Sequence, residues 1–264
     1  MADWVYWNGD ILQSSQVVIS PLEAAVLYGA NLFETLRTYQ GKPFLLNEHL
    51  ARITSSAEFF RTAMPLSSSE IEAVISELLI KNSLPEAVIR ITLFLNDQAP
   101  VKLLITAKQL PRFKECWRTC SAPWLRDKNN PLLRHKTGNY LHNTLAFQYI
   151  SAGTDECFFF NQDGYLCEGA KSNVFIIDGN RQIITPSLDN GLLPGVIRHY
   201  LLQTAPRLDL SLKEADISRE QLYRAQGVFC TNSVWGIIPV QSFDGASYQI
   251  NDHIMTLLNS IFPL

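Results

Sequence analysis

The 264-residue sequence has no uninterrupted apolar run near the roughly 18 residues needed to cross a bilayer, so a membrane protein is not expected. It has no excess of positive charge either. A net charge of −3 and a pI near 6.0 give no field for binding a phosphate backbone, which argues against a nucleic-acid partner. Glycine and proline number 13 each, together roughly a tenth of the chain and far below the level of low-complexity disorder. Cysteines are few and odd in number. Only Cys116 and Cys120 lie close together, with no histidine or second pair nearby, so no metal site is expected and reduced thiols in a cytoplasmic protein are the simple reading. The opening Met-Ala-Asp-Trp-Val has no basic stretch ahead of an apolar one, so no secretory signal is expected. The motifs G-x-G-x-x-G, Walker A, H-E-x-x-H and G-x-S-x-G are all missing, which leaves dinucleotide, P-loop, zinc-protease and α/β-hydrolase chemistries without support. No period of 20–50 residues repeats.

Apolar residues make up 47% of the chain and charged residues 18%, and a chain this long can bury about three quarters of its unfolded surface without disulfides. Asn8-Gly9 between Val5-Tyr6-Trp7 and Ile11-Leu12 predicts a hairpin. Residues 33–39 read as a strand, with a turn at 40–43. A helix is expected from an Asn47 cap to about Met64, where Pro65 would stop it. Ser67-x-x-Glu70 reads as a capping box ahead of the helical spacing Ile71, Val74, Ile75, Leu78 and Leu79. Strands follow over 88–95 and 101–106. The polar stretch from about residue 107, with Pro111, Pro123 and Pro131, suggests a boundary: a small domain over 1–107, a linker at 108–116 and a larger domain over 117–264. In that second part a helix is expected over 139–151, strands at 156–160, 165–168, 174–177, 182–184, 228–231 and 237–243, a helix from Pro194, and a last helix over 252–261. The class is α/β (α+β) in two domains.

Five segments could carry chemistry. In Thr185-Pro-Ser-Leu-Asp-Asn-Gly-Leu-Leu-Pro-Gly-Val-Ile-Arg198 a strand leads through a glycine-bearing loop to a helix start, whose unpaired N–H groups suit a phosphate; an ordinary connection would look the same. Lys136, beside Thr137, Gly138 and Asn139, could be a buried amine with a lowered pKa fit for Schiff-base chemistry, or a solvated lysine. Glu168, ending an apolar strand, is expensive to bury without a cation; it could serve a protonated ring nitrogen or pair with Lys171. Arg52 on a helix could fork onto phosphate, or sit on the surface. Thr231-Asn232-Ser233 offers three short polar side chains, or a polar turn.

In order and spacing, these segments together resemble the fold-type IV pyridoxal-phosphate enzymes, the class IV aminotransferases and their lyase relatives. Lys136 precedes Glu168 by 168 − 136 = 32 residues, L-x-G-V-I-R follows, and then T-N-S-x-x-G-I-x-P-V. The resemblance runs from the N-terminal hairpin to at least Val240. It implies a small N-terminal domain and a larger C-terminal one with pyridoxal 5'-phosphate in the cleft, and a homodimer. It also implies that Lys136 bonds the cofactor and shuttles the proton and that Glu168 pairs with the ring nitrogen. Arg52 and the amides of Val196 and Ile197 would cup the phosphate, Leu193 would lie under the ring, and Asn232 and Ser233 would stand near both. Tyr140 would lie near the phenolic oxygen, offset by one residue from its place in branched-chain enzymes.

For substrate, Tyr28, Phe33 and Arg37 match pocket-facing positions of the small domain. Phe33, Thr35 and Arg37 alternate and so share a strand face, and Arg37 could meet a substrate carboxylate or remain a sheet-surface arginine. D-amino-acid transaminases carry an Arg-x-His trap where this chain has Ile91-Thr-Leu-Phe-Leu-Asn-Asp-Gln98, with neither residue type. The stretch Asn232–Val240 resembles the N-S-x-x-G-I-x-P-V of the family's lyases, which release pyruvate and 4-aminobenzoate from 4-amino-4-deoxychorismate in folate biosynthesis. Branched-chain transaminases tend to carry G-T-x-A-x-V-x-P-V there. The alternatives are transamination of branched-chain or D-amino acids with 2-oxoglutarate, and a catalytically silent cofactor binder.

Overall fold

Asn8 and Gly9 both take positive φ, 52° and 112°, and close the hairpin of β1 (Trp4–Trp7) and β2 (Asp10–Gln13) that an Asn-Gly pair predicts. The structure is a computed structural model and describes residues 3–96, 100–150, 152–249 and 252–262. Asp97 and Gln98 of the 91–98 run, and Ser151 at the expected end of the 139–151 helix, lie outside the described residues. Two compact units emerge, one of Met1–Arg112 with His135–Tyr140, the other of Phe113–Arg134 with Leu141–Leu264.

The first unit continues with α1 (Ala24–Leu27), β3 (Asn31–Tyr39), β4 (Lys42–Pro43), α2 (Leu46–Phe59), α3 (Ser68–Lys81), β5 (Val88–Phe94) and β6 (Lys102–Lys108). Its strands form one antiparallel sheet in the order β2-β1-β6-β5-β3-β4. Period-two alternation sends Leu32, Leu36, Ile89, Ile91, Leu103 and Ile105 to one face, where Leu50 and Ile53 of α2 and Ile71, Ile75 and Leu78 of α3 cover them. Phe33, Thr35 and Arg37 take the other face.

Both boundaries of α2 differ from the sequence reading. Asn47 sits inside the first turn of α2 and not at its cap, which is Leu45 in a left-handed conformation (φ 54°). The Asn47 carboxamide instead accepts a hydrogen bond from the Ser68 hydroxyl at 2.8 Å and ties the starts of α2 and α3 together. α2 ends at Phe59, well before Pro65, because Arg61 turns left-handed (φ 58°) and the Thr62 N–H closes back on the Ala57 carbonyl at 2.8 Å. The capping box of α3 is present: the Ser67 N–H donates to Glu70 Oε2 at 2.7 Å, and the Glu70 N–H donates to Ser67 Oγ.

The second unit comprises β7 (Trp117–Ser121), α4 (Leu141–Tyr149), β8 (Glu156–Phe160), β9 (Leu166–Gly169), β10 (Asn173–Ile177), β11 (Ile183–Pro186), α5 (Val196–Thr204), β12 (Leu212–Ala215), α6 (Arg219–Tyr223), β13 (Gly227–Asn232), β14 (Gly236–Phe243), β15 (Ala246–Ser247) and α7 (Asp252–Asn259). Its sheet runs β12-β11-β10-β13-β14-β7-β8-β9, with β15 paired to β14. The Leu166 N–H donates to the Ile217 carbonyl at 2.8 Å just beyond β12, so the two ends of the path meet and the sheet curls round a core that includes Phe158, Phe160, Val174, Cys230, Val240 and Phe243. On the outer face Cys157 and Phe159 pack against Ala146 of α4. α4 starts at Leu141 and not at Asn139, because residues 135–140 are drawn into the first unit. Among the described residues no helix is long and apolar enough to cross a membrane, and no group of three or more metal-binding side chains forms.

Replacing Ser67 with Ala leaves the N-terminal amides of α3 without their cap. Urea denaturation should show a loss of about 1 kcal/mol with an unchanged slope.

Candidate active site

Lys136 is held by sheet pairing. Its carbonyl accepts the Phe33 N–H at 2.9 Å, the Gly138 N–H donates to the Asn31 carbonyl at 2.8 Å, and Thr137 bridges Leu32. Residues 136–138 therefore run along β3 as a short added edge. A Cβ at Gly138 would stand 2.3 Å from the Asn31 carboxamide, so that side chain would have to shift to admit one. His135, just before the lysine, is fastened to α2: its Nδ1 lies 3.0 Å from Ser56 Oγ and its ring 4.3 Å from that of Phe59.

The Lys136 side chain is half-buried, with Nζ 4.6 Å from the centre of the Phe33 ring and 5.5 Å from that of Tyr140. The two rings meet edge-on at 5.7 Å. Arg90 of β5, which the sequence reading passed over, lays its guanidinium over Phe33 at 3.7 Å. Its position was legible, since β5 residues 90 and 92 have the opposite parity to the core residues Ile89 and Ile91. Phe33, Lys136 and Tyr140 are thus brought together, with Arg90 as an added cation. Tyr28 is exposed, in the same apolar segment as Val18, Leu22, Val26 and Leu27.

Arg37 stands four residues further along β3 and pairs with Glu86 at 2.9 Å, its guanidinium 4.4 Å from the centre of the Tyr39 ring. The carboxylate partner foreseen for it is supplied from within the chain. Arg52 is likewise engaged by an acid of the same unit. Its Nε and Nη2 fork onto both oxygens of Glu34 at 2.7 and 2.6 Å, and the Nδ1–H of His49 donates to Glu34 at 2.7 Å. Buried Glu34 and His49 form a cluster with half-buried Arg52 on the helix-covered face of β3. Burial works to raise the Glu34 pKa, but Arg52 and His49 outweigh it and hold the group at about 2. Burial lowers that of His49, with the Arg52 and Lys136 charges adding to the effect. The signal for this cluster was present: an acid at a core-facing strand position, and a histidine and arginine three residues apart on one helix face.

In the second unit Glu168, at the end of β9, is buried and does not pair with Lys171. Arg126, itself buried and stacked 4.1 Å from the centre of the Phe159 ring, donates to Glu168 Oε1. Lys171 turns away, donating to the Asp155 carbonyl at 2.9 Å. The other Glu168 oxygen accepts the Leu193 N–H at 3.1 Å and the Asn173 Nδ2–H at 3.3 Å, and Asn173 also donates to the Leu193 carbonyl at 3.0 Å. Leu193 is therefore fixed through its backbone. Val196 and Ile197 open α5, whose N-cap, Gly195, makes no side-chain cap hydrogen bond. A Cβ on Gly195 would lie 1.8 Å from Asn173 Oδ1. Asn232 works as a turn residue: its Oδ1 accepts the N–H groups of Val234 and Trp235 at 3.0 and 2.9 Å, and Ser233 sits between. Arg126 and Asn173 were missed. Asn173 lies inside the Glu168–Phe175 segment already singled out, and Arg126 lies in a polar stretch read as a domain entry.

A half-buried lysine on a paired segment, a buried acid anchored by arginine, and a glycine-started helix without a side-chain cap coincide with a family match. The family described as Amino-transferase class IV matches residues 31–243. The chain belongs to that family. Its members use pyridoxal 5'-phosphate. Among relatives, it is 32% identical over 260 residues to the aminodeoxychorismate lyase of Bacillus subtilis, covering 92% of this chain and 88% of that one. It is 27% identical over 270 residues to the branched-chain-amino-acid aminotransferase of Escherichia coli K12, covering 92% and 86%. A solved structure from Legionella pneumophila, provisionally described as a 4-amino-4-deoxychorismate lyase, superposes with a TM-score of 0.86 at 28% identity, covering 94% of this chain and 97% of that one. The two-sheet α/β architecture is that of the class IV enzymes. The donor set fits the cofactor: an amine for its aldehyde, a carboxylate for a ring cation, and a helix start lacking a side-chain cap for its phosphate.

Glu34 titrates near 4.5 when unfolded and near 2 when folded. Its stabilising contribution, about 3 kcal/mol, is complete above pH 4.5 and is lost as the pH falls towards 2. Urea titrations across this range should show that loss for the native protein, and Glu34→Gln should flatten it. Removing the guanidinium by Arg126→Ala leaves Glu168 buried without its cation, so denaturation at neutral pH should show a cost of about 3–5 kcal/mol.

Proposed function

We propose that the protein is a 4-amino-4-deoxychorismate lyase that binds pyridoxal 5'-phosphate through Lys136 and Glu168. The carrying observation is the β13–β14 turn. Asn232 seals it with two hydrogen bonds, and the sequence onward is the lyase-like N-S-x-x-G-I-x-P-V and not the G-T-x-A of branched-chain transaminases. The 32% identity to the B. subtilis lyase supports the same reading.

Bound pyridoxal 5'-phosphate supplies an electron sink for the pair left when the amine-bearing ring carbon loses its hydrogen. Lys136 Nζ takes that proton. Pairing with β3 fixes its backbone, so only the side chain need move. Glu168, held by Arg126, Asn173 and the Leu193 N–H, offers negative charge to the ring nitrogen. The amides of Val196 and Ile197 receive the phosphate, with Arg52, oriented by Glu34, adding positive charge. Asn232 and Ser233 border the ring and phosphate. Phe33 and Tyr140 flank the lysine, and Arg90 meets the substrate carboxylate, while Arg37 is held by Glu86. The C–O bond to the enolpyruvyl group then breaks, that group takes up a proton and leaves as pyruvate, and the ring becomes the aromatic 4-aminobenzoate. The exposed apolar segment holding Tyr28 supports a homodimer, with folate biosynthesis in the cytoplasm as the setting.

Transamination of branched-chain amino acids is the second reading, favoured by the 27% identity to the E. coli enzyme. Supplying aminodeoxychorismate in one vessel, and branched-chain or D-amino acids with 2-oxoglutarate in another, separates the two. The lyase yields pyruvate and 4-aminobenzoate in equal amounts; glutamate without pyruvate overturns it. Lys136→Ala should abolish turnover, a fall of at least about 10³-fold, the scale on which a positioned proton-transfer group acts.

A further inference from the structure

The first acid of β8, Glu156, has no part in the chemistry above, yet it is fully buried and makes four hydrogen bonds. Its Oε1 accepts the N–H groups of Cys157 at 2.9 Å and Ala170 at 3.0 Å. Its Oε2 accepts the Lys171 N–H at 3.1 Å and the Ser172 hydroxyl at 2.7 Å. Three of these donors belong to the turn between β9 and β10, which is closed by the Gly169 N–H on the Ser172 carbonyl at 2.7 Å. The packing is tight, since a Cβ on Gly169 would lie 2.4 Å from Ser172 Oγ and 2.8 Å from Glu156 Oε2. Glu168 immediately precedes this turn and Asn173 immediately follows it. Those two side chains meet each other and both engage the backbone of Leu193, which leads into the start of α5.

We propose that Glu156 is a positioning residue of the cofactor site: by gathering the 170–172 donors it fixes the turn that sets Glu168 and Asn173, and through them the Leu193–Gly195 approach to α5. The inference rests on the cofactor roles given above to Glu168 and the α5 start. A carboxylate suits the task because every group facing it is a donor. A carboxamide would turn one N–H pair towards two donors and force the turn to open. Glu156 acts through Glu168 and α5 and touches no reacting atom.

Absorbance titration of the apoprotein with pyridoxal 5'-phosphate tests this apart from turnover. Glu156→Gln should weaken cofactor affinity about 10- to 100-fold, the effect of losing an outer partner that orients a ligand at a metal site. It should also move the pH midpoint of the bound cofactor's visible band, because the acid facing the ring nitrogen has shifted. Ser172→Ala removes one donor and keeps the carboxylate, and should move both readouts the same way by a smaller amount. Native affinity and an unmoved midpoint in Glu156→Gln overturn the proposal, even if its Tm falls. If that variant does not fold, an unmoved Ser172→Ala overturns it. Failure of the native protein to take up the cofactor would instead overturn the site assignment itself.

Discussion

A carboxylate shut away from water must be met by donors or cations, and three such groups organise this protein. Glu34 is met by Arg52 and His49, Glu168 by Arg126, Asn173 and a backbone N–H, and Glu156 by three amides and a hydroxyl. Each removes several degrees of freedom at once, because a misplaced partner would leave a charge stranded in the interior. The geometry around Glu168 and the approach to α5 is therefore set by electrostatic satisfaction as much as by apolar packing. Apolar packing gives each unit its core; these acids tie particular helices, turns and loop backbones to it.

The cations show the same economy. Arg52 and Arg37 are each engaged by an acid of the first unit, Arg126 by one of the second. Arg90 stacks on an aromatic ring beside the lysine and, among these four, has no salt bridge to an acid among the described residues. An arginine held by cation–π contact keeps its charge available to an incoming anion, whereas one already forked onto a carboxylate does so far less.

Much of this was legible from residue order. Asn8-Gly9 specifies its turn through left-handed φ values that few other pairs tolerate, and the Ser67–Glu70 box specifies the start of α3 by local hydrogen bonding alone. The Lys136 and Glu168 segments each had an ordinary reading alone; their order and spacing together carried the family resemblance. Partners across long separations were less legible. Nothing near Glu168 in sequence announces Arg126, 42 residues earlier, and the adjacent Lys171 was the tempting choice. Asn47 has the side chain of a helix cap, but the hydroxyl that claims it lies 21 residues away. Residues 139–140 have a plausible helical pattern but follow directly on the 136–138 segment paired to β3, a tertiary contact that delays the helix to Leu141.

That edge has a topological consequence. Residues 135–140 belong to the first unit while the chain on either side belongs to the second, so the polypeptide passes between the units three times. A fragment cut at residue 112 would lack the ribbon that covers the Asn31–Phe33 margin of β3, exposing bare amides and carbonyls ready to recruit another strand. In the intact chain the lysine's own backbone covers that margin.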